Sequence, residues 1–130
     1  GTVRLVQAVS WCEDTMLLFS DQAGRQSRVA AKGRETQMRA LDSVLDGRPC
    51  TFLKMDVEGA EREAIAGAEQ TIRQHRPKLN IAAYHRSEDF FQLPLLIHTL
   101  CPDYRLYLRH HPYVPAWDTN LYAVVNNAGN

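Results

Sequence analysis

Apolar and polar positions along the chain alternate in two rhythms, and the change from one to the other marks out the predicted elements. "VRLVQAV" (3–9) is rich in β-branched residues and predicts a strand, and "TMLLF" (15–19) predicts another, with Glu13-Asp14 as the turn between them. Residues 20–35 are polar, carry Gly24 and Gly33, and read as a loop. "TQMRALDSVLDG" (36–47) has an extended start and a helical turn around Leu41 to Leu45, which Gly47 and Pro49 stop. "CTFLKMDV" (50–57) is nearly continuous in its hydrophobicity, as in a parallel strand covered on both faces. From Ala60 to His75 the period becomes helical, with Ala64, Ile65, Ala68 and Ile72 on one face. Glu61 and Glu63 suit the positive end of that helix dipole, and Pro77 prevents continuation. Gly67, in its middle, is expected to allow close packing on the sheet.

"KLNIAAY" (78–84) completes a strand–helix–strand unit of the βαβ size, which implies parallel strands and a right-handed crossover. Residues 87–101 are mostly helical, and Pro94 is expected to open a helix rather than stand inside one. "YRLYLRH" (104–110) and "NLYAVV" (120–125) alternate as strands, and the segment between them is too long for a tight hairpin. The fold class is α/β with an antiparallel C-terminal pair, in a single domain over 1–130.

Composition narrows the function classes. The chain has 130 residues, 45% hydrophobic and 23% charged, which suits one globular domain. Fifteen basic and fifteen acidic residues cancel, so neither nucleic acid nor an anionic membrane is the expected partner. No apolar stretch approaches the roughly 20 residues of a membrane-spanning helix. Cys12, Cys50 and Cys101 lack the close spacing of a zinc or redox motif and read as reduced thiols of a cytoplasmic protein. "GTVRLVQAVS" has no signal-peptide pattern, and a chain opening almost at once on a strand is expected to start inside a larger domain.

The chemistry gathers in "LKMDVEGAE" (53–61). In open α/β sheets, ligands bind beyond the carboxyl ends of the strands. Asp56 and Glu58 stand at such an end, and His85 follows the next strand. If those two strands are neighbours, their ends are about 5 Å apart and the three side chains converge. Asp56 and Glu58 are candidate substrate ligands or helix-entry residues. Lys54 either pairs with one of the carboxylates or extends to solvent. His85 has the chemistry of a general base near neutral pH, and His110 and His111 are weaker candidates. Asp56, Glu58 and His85 would also suit magnesium, manganese or iron, although their spacing does not demand a metal. Trp117, Tyr113 and Tyr107 are candidates for an acceptor pocket.

"LKMDVEGAEREAIAGA" resembles the lysine-x-aspartate-x-glutamate-glycine segment of the FkbM-family methyltransferases. "MRALDSVL", "VRLVQAVSWCEDTMLLF" and "RPKLNIAAYHRSEDF" are similar to the segments that flank it in that family. The resemblance implies a Rossmann-like sheet with an antiparallel last strand, and methyl transfer from S-adenosylmethionine to a hydroxyl of a sugar or natural product. The partner would then be a small-molecule or glycan acceptor. Asp56 would face the transferred methyl, and Ala8, Val9 and Ser10 would border the cofactor's adenine. The family's glycine-rich cofactor turn has no counterpart in the sequence. Two strands of the family's sheet would separate the strands at 3–9 and 50–57. Without them, either those two strands pair, or 50–57 presents an edge open to self-association.

Overall fold

The computed structural model describes residues 1–19, 34–111 and 118–126. Its elements are β1 (Val9–Ser10), β2 (Thr15–Phe19), β3 (Arg34–Arg39), α1 (Leu41–Leu45), β4 (Phe52–Met55), α2 (Glu61–Ala66), α3 (Glu69–His75), β5 (Lys78–Ala82), α4 (Asp89–Leu100), β6 (Tyr104–His111) and β7 (Asp118–Val125).

Two sheets result. The larger has the order β4-β5-β7-β6, and the smaller β1-β3-β2. β4 and β5 are parallel, while β7 runs antiparallel to both β5 and β6. β6 therefore points the same way as β4 and β5, and the three share one carboxyl rim. Register puts Met55 beside Ile81 and Ile81 beside Leu121, and likewise Leu53 beside Leu79 and Leu79 beside Ala123. This apolar face meets Ala64, Ile65 and Ile72 from α2 and α3, and Leu93 and Ile97 from α4, in one buried cluster. Tyr104 closes the far end by donating its buried hydroxyl to the Pro77 carbonyl at 2.6 Å; burial pushes that phenol's pKa well up.

Several expectations need correction. The strand at 3–9 shrinks to Val9–Ser10, because only these residues find a ladder partner, in β3; Val3 and Leu5 stand 97% and 90% exposed. β1 and β2 are not joined as a hairpin but flank β3, parallel and antiparallel respectively. β4 is not covered on both faces. Within the described residues it pairs only with β5, and its exposure alternates, leaving Phe52 and Lys54 open to solvent. Of the two expectations, the open edge is what the described residues show. Pro94 lies inside α4, where it removes the N–H that would reach the Phe90 carbonyl. Leu93, Ile97 and Leu100, buried on one stripe, hold that helix together across the lost bond. Expectations for 20–33 and 112–117 fall outside the described residues.

The helix expected over 60–75 is two helices, and the break has a cause. A Cβ on Gly67 would lie 1.9 Å from the Trp11 carbonyl oxygen, so the chain that leaves β1 presses directly on the helix backbone there. Gly67 is thus a close-approach residue as expected, but the approach is to this loop. Its carbonyl accepts the Asp42 N–H at 2.8 Å. The Asp42 carboxylate then caps α3, accepting from the backbone N–H groups of Gln70 and Thr71 at 2.9 Å and from the Thr71 hydroxyl at 2.7 Å. A residue of α1 so supplies the cap that Ala68, at the helix start, lacks. Asp14 fastens the same corner. It accepts the Ala40 N–H at 2.8 Å and pairs with Arg39 at 3.0 Å, and the first of these contacts leads in holding its pKa below the ordinary range.

Gly67→Ala is expected to destabilise the chain by about 1–3 kcal/mol, the cost of forcing an extra carbon into a filled space. On helix propensity alone alanine would stabilise by roughly 1 kcal/mol. A lower urea midpoint supports the close approach, and an unchanged or higher one contradicts it.

Candidate functional site

β4 ends at Met55, and the chain turns into α2 through Asp56, Val57, Glu58, Gly59 and Ala60. The turn is left-handed at Glu58 (φ 54°) and Gly59 (φ 96°). A side chain at Gly59 would meet Arg86 at 3.4 Å and His85 at 3.8 Å, so the turn lies against the exit of β5. β5 continues its pairing with β7 through the Ala83 N–H and the Thr119 carbonyl (2.9 Å), which delivers Tyr84 and His85 to the same rim.

There the side chains converge. His85 Nε2 lies 3.5 Å from Asp56 Oδ1 and 3.3 Å from Glu58 Oε2. Its other nitrogen, Nδ1, lies 2.9 Å from Glu61 Oε1. The His85 ring is 11% exposed, Asp56 and Glu58 are 45% and 43% exposed, and Glu61 is fully buried. The same Glu61 oxygen accepts the Val57 N–H at 3.1 Å and so ties the turn to the helix. The Nδ1–Glu61 contact has the length of an ion pair without the alignment of a hydrogen bond. Both ring nitrogens and Glu61 Oε2 are sealed from water without a hydrogen-bond partner among the described residues. The Tyr84 ring lies 4.2 Å from that of His85, centroid to centroid, and its hydroxyl makes long contacts of 3.4 and 3.5 Å with the Asp56 carboxylate. In all, three carboxylates surround one imidazole. Among the described residues, Asp56, Glu58 and Glu61 form ion pairs with His85 alone.

The structure thus brings Asp56, Glu58 and His85 together. It leaves the other candidates apart. Lys54 is exposed, lies beside Asn80, and makes no ion pair among the described residues, so its pairing with these carboxylates is not found. Ala8, Val9 and Ser10 belong to the region of the smaller sheet, and no hydrogen bond or ion pair of the cluster reaches them. His110 and His111 share the rim at the end of β6, but β7 lies between β5 and β6; they contact the Thr119 hydroxyl (2.9 Å) and the Tyr122 hydroxyl (3.2 Å). Tyr107 is in mid-strand, under the Arg109 guanidinium at 5.3 Å. Tyr113 and Trp117 fall outside the described residues. A cleft of about 560 Å³ between Cys12, Asp14, Asp42, Gly67 and Arg73 contains none of the cluster.

Glu61 was missed in the sequence as a site residue and assigned to the helix dipole. The signal was its spacing: Glu61 precedes Ala64 and Ile65 by three and four positions, which puts it on the buried stripe. A carboxylate there needs a polar partner.

The sequence model of the methyltransferase FkbM domain matches residues 9–115. The chain belongs to the FkbM methyltransferase family. Among solved structures it is similar to methyltransferase FkbM from Methylobacillus flagellatus KT, with 35% identity and a TM-score of 0.71, over 89% of this chain and 27% of that one. The chain thus spans little more than a quarter of that relative's length. No curated protein matches it significantly. The α/β fold with its mixed larger sheet agrees with this family, and the matched span includes Asp56, Glu58, Glu61 and His85.

One more carboxylate lies behind the cluster. Asp89, at the start of α4, is 1% exposed, and its nearest cation is Arg62 at 4.0 Å. Burial, then the Glu61 charge, pushes its pKa up, and Arg62 and Arg86 only partly oppose this. The folded chain therefore binds the Asp89 proton more tightly than the unfolded chain does. Stability falls as pH rises from the ordinary aspartate range through the raised value. Asp89→Asn is expected to be more stable than the wild type at neutral pH, with the gap closing below that range. Thermal melts of both proteins across pH test this, and a variant that is less stable at pH 7 would contradict it.

Proposed function

We propose that this FkbM-family chain serves S-adenosylmethionine-dependent O-methylation, as the part of the enzyme that receives the acceptor hydroxyl. The acceptor is a sugar or another small molecule, and the setting is the cytoplasm. The observation that carries the reading is the convergence of Asp56, Glu58 and His85 at the carboxyl rim of parallel strands. A hydroxyl entering there meets the exposed Asp56 and Glu58 carboxylates, which can orient it, with the His85 imidazole directly behind them to take up its proton. When bound, the cofactor supplies an electrophilic methyl group on a sulfonium. Among the described residues no glycine-rich strand-to-helix turn is present. The residues at hand suit the acceptor side, where holding the hydroxyl in line contributes much of the acceleration.

A second reading, a noncatalytic association module, is favoured by one feature. Phe52 is 57% exposed on β4, a strand with one hydrogen-bonded neighbour among the described residues. No helix of the described residues is long and apolar enough to cross a membrane.

His85→Ala in the full-length protein is expected to cut methyl transfer by about a hundredfold or more. A radiolabelled methyl assay against a panel of hydroxylated acceptors reads it. Unchanged turnover removes His85 from the chemistry, and no transfer to any acceptor by the wild type favours the association module.

A further inference from the structure

We propose that Asp56, Glu58 and His85 bind a divalent metal ion, with Glu61 as the outer carboxylate that aims the imidazole. This deepens the methyl-transfer reading by stating how the hydroxyl is held, and it rests on that reading only for its purpose. Three observations support the site. The first is geometric. One ligand atom from each of the three residues lies within 4.8 Å of the others. Around an octahedral ion with bonds of roughly 2.2 Å, adjacent donors are about 3.1 Å apart and opposite ones about 4.4 Å. The 3.3 and 3.5 Å separations from Nε2 are close to the adjacent value. Asp56 and Glu58, both substantially exposed, are free to close the remaining difference.

The second observation is electrostatic. Asp56, Glu58 and Glu61 gather around one imidazole, and no lysine or arginine forms an ion pair with any of them among the described residues. Arg62 is directed to Glu88, Asp89 and Gln92 instead, and Arg86, which lies against Gly59, makes no ion pair with the three carboxylates among the described residues. A doubly charged cation offsets this excess as a single imidazolium cannot.

The third is the buried partner behind the ring. Glu61 is wholly inaccessible, and its Oε2 is sealed from water without a hydrogen-bond partner among the described residues. Its Oε1 against Nδ1 turns Nε2 toward the two outer carboxylates. Metal-ligating histidines typically have a carboxylate on the nitrogen that does not bind the ion, and Glu61 occupies that place, 2.9 Å from Nδ1. Two carboxylates and one imidazole form a mixed oxygen and nitrogen set that suits manganese or a similar ion. The open positions would take water or the acceptor oxygen, whose hydroxyl proton coordination makes easier to remove.

Mn²⁺ binding to this chain, followed by the electron paramagnetic resonance signal of the free ion, tests the site. One ion per chain is expected. His85→Ala and Glu58→Gln should each abolish or strongly weaken binding, and Glu61→Gln should weaken it about 10–100-fold. Circular dichroism establishes that each variant is folded. Glu58→Gln, at a half-exposed position, keeps the test available if another variant fails to fold. A folded wild type that leaves millimolar Mn²⁺ free, or binding unchanged in either ligand variant, overturns the site. Unchanged affinity in Glu61→Gln overturns the aiming role. Methyl transfer by the full-length protein without ion binding sinks this inference alone, whereas ion binding without transfer sinks only the functional reading.

Discussion

The contact between Glu61 and His85 Nδ1 is the constraint from which the rest of the site follows. A carboxylate that is wholly buried is costly unless it meets a charge or hydrogen-bond donors. Glu61 meets two groups, the Val57 N–H from its own turn and the imidazole from the neighbouring strand. These contacts join the start of α2 to the exit of β5. They also leave one face of His85 in the core and direct the other toward Asp56 and Glu58. The distal nitrogen owes its position to a residue that would touch no substrate. Glycine at position 59, where the chain passes close to His85 with a positive φ, lets the turn approach closely enough for this contact.

The larger fold serves the same end. Parallel pairing of β4 with β5 puts both carboxyl ends on one rim, and the helices between them bury the sheet face that carries Met55 and Ile81. The direction of α2 is fixed at its far end too, where the loop after β1 presses on Gly67 and Asp42 caps the next helix. A change at that joint would reach the site through α2, because Glu61 belongs to the same short helix. Among the described residues, no side chain of the smaller sheet bonds to the cluster.

Much of this was legible in the residues. The strand-forming runs "TMLLF" and "KLNIAAY", the helical turn at Leu41–Leu45 and the alternating C-terminal strand pair come from local patterning, and the structure places elements there. The strand-end rule is enough to bring Asp56, Glu58 and His85 together from the sequence. What was not legible depended on distant partners. Residues 3–8 have strand composition but no ladder to join. The helix break at Gly67 is set by a carbonyl contributed by Trp11, and the periodicity from Ala64 to Ile72 passes through it without interruption. The open face of β4 reflects which elements cover it, which its own hydrophobicity does not encode. Pro94 obeys packing over its positional preference. Glu61 is legible in helical spacing, because the buried stripe of Ala64 and Ile65 extends back to it in the first turn.

The most direct test of the Glu61–His85 constraint is the nitrogen-15 spectrum of the His85 ring, recorded without metal on the neutral imidazole. The wholly buried Glu61 carboxylate, 2.9 Å from Nδ1, attracts the ring proton more strongly than the two half-exposed carboxylates 3.3 and 3.5 Å from Nε2. A single tautomer protonated at Nδ1, which loses its preference in Glu61→Gln, is the result this account predicts. A ring protonated at Nε2, or one averaging freely between the two forms in the wild type, would contradict it.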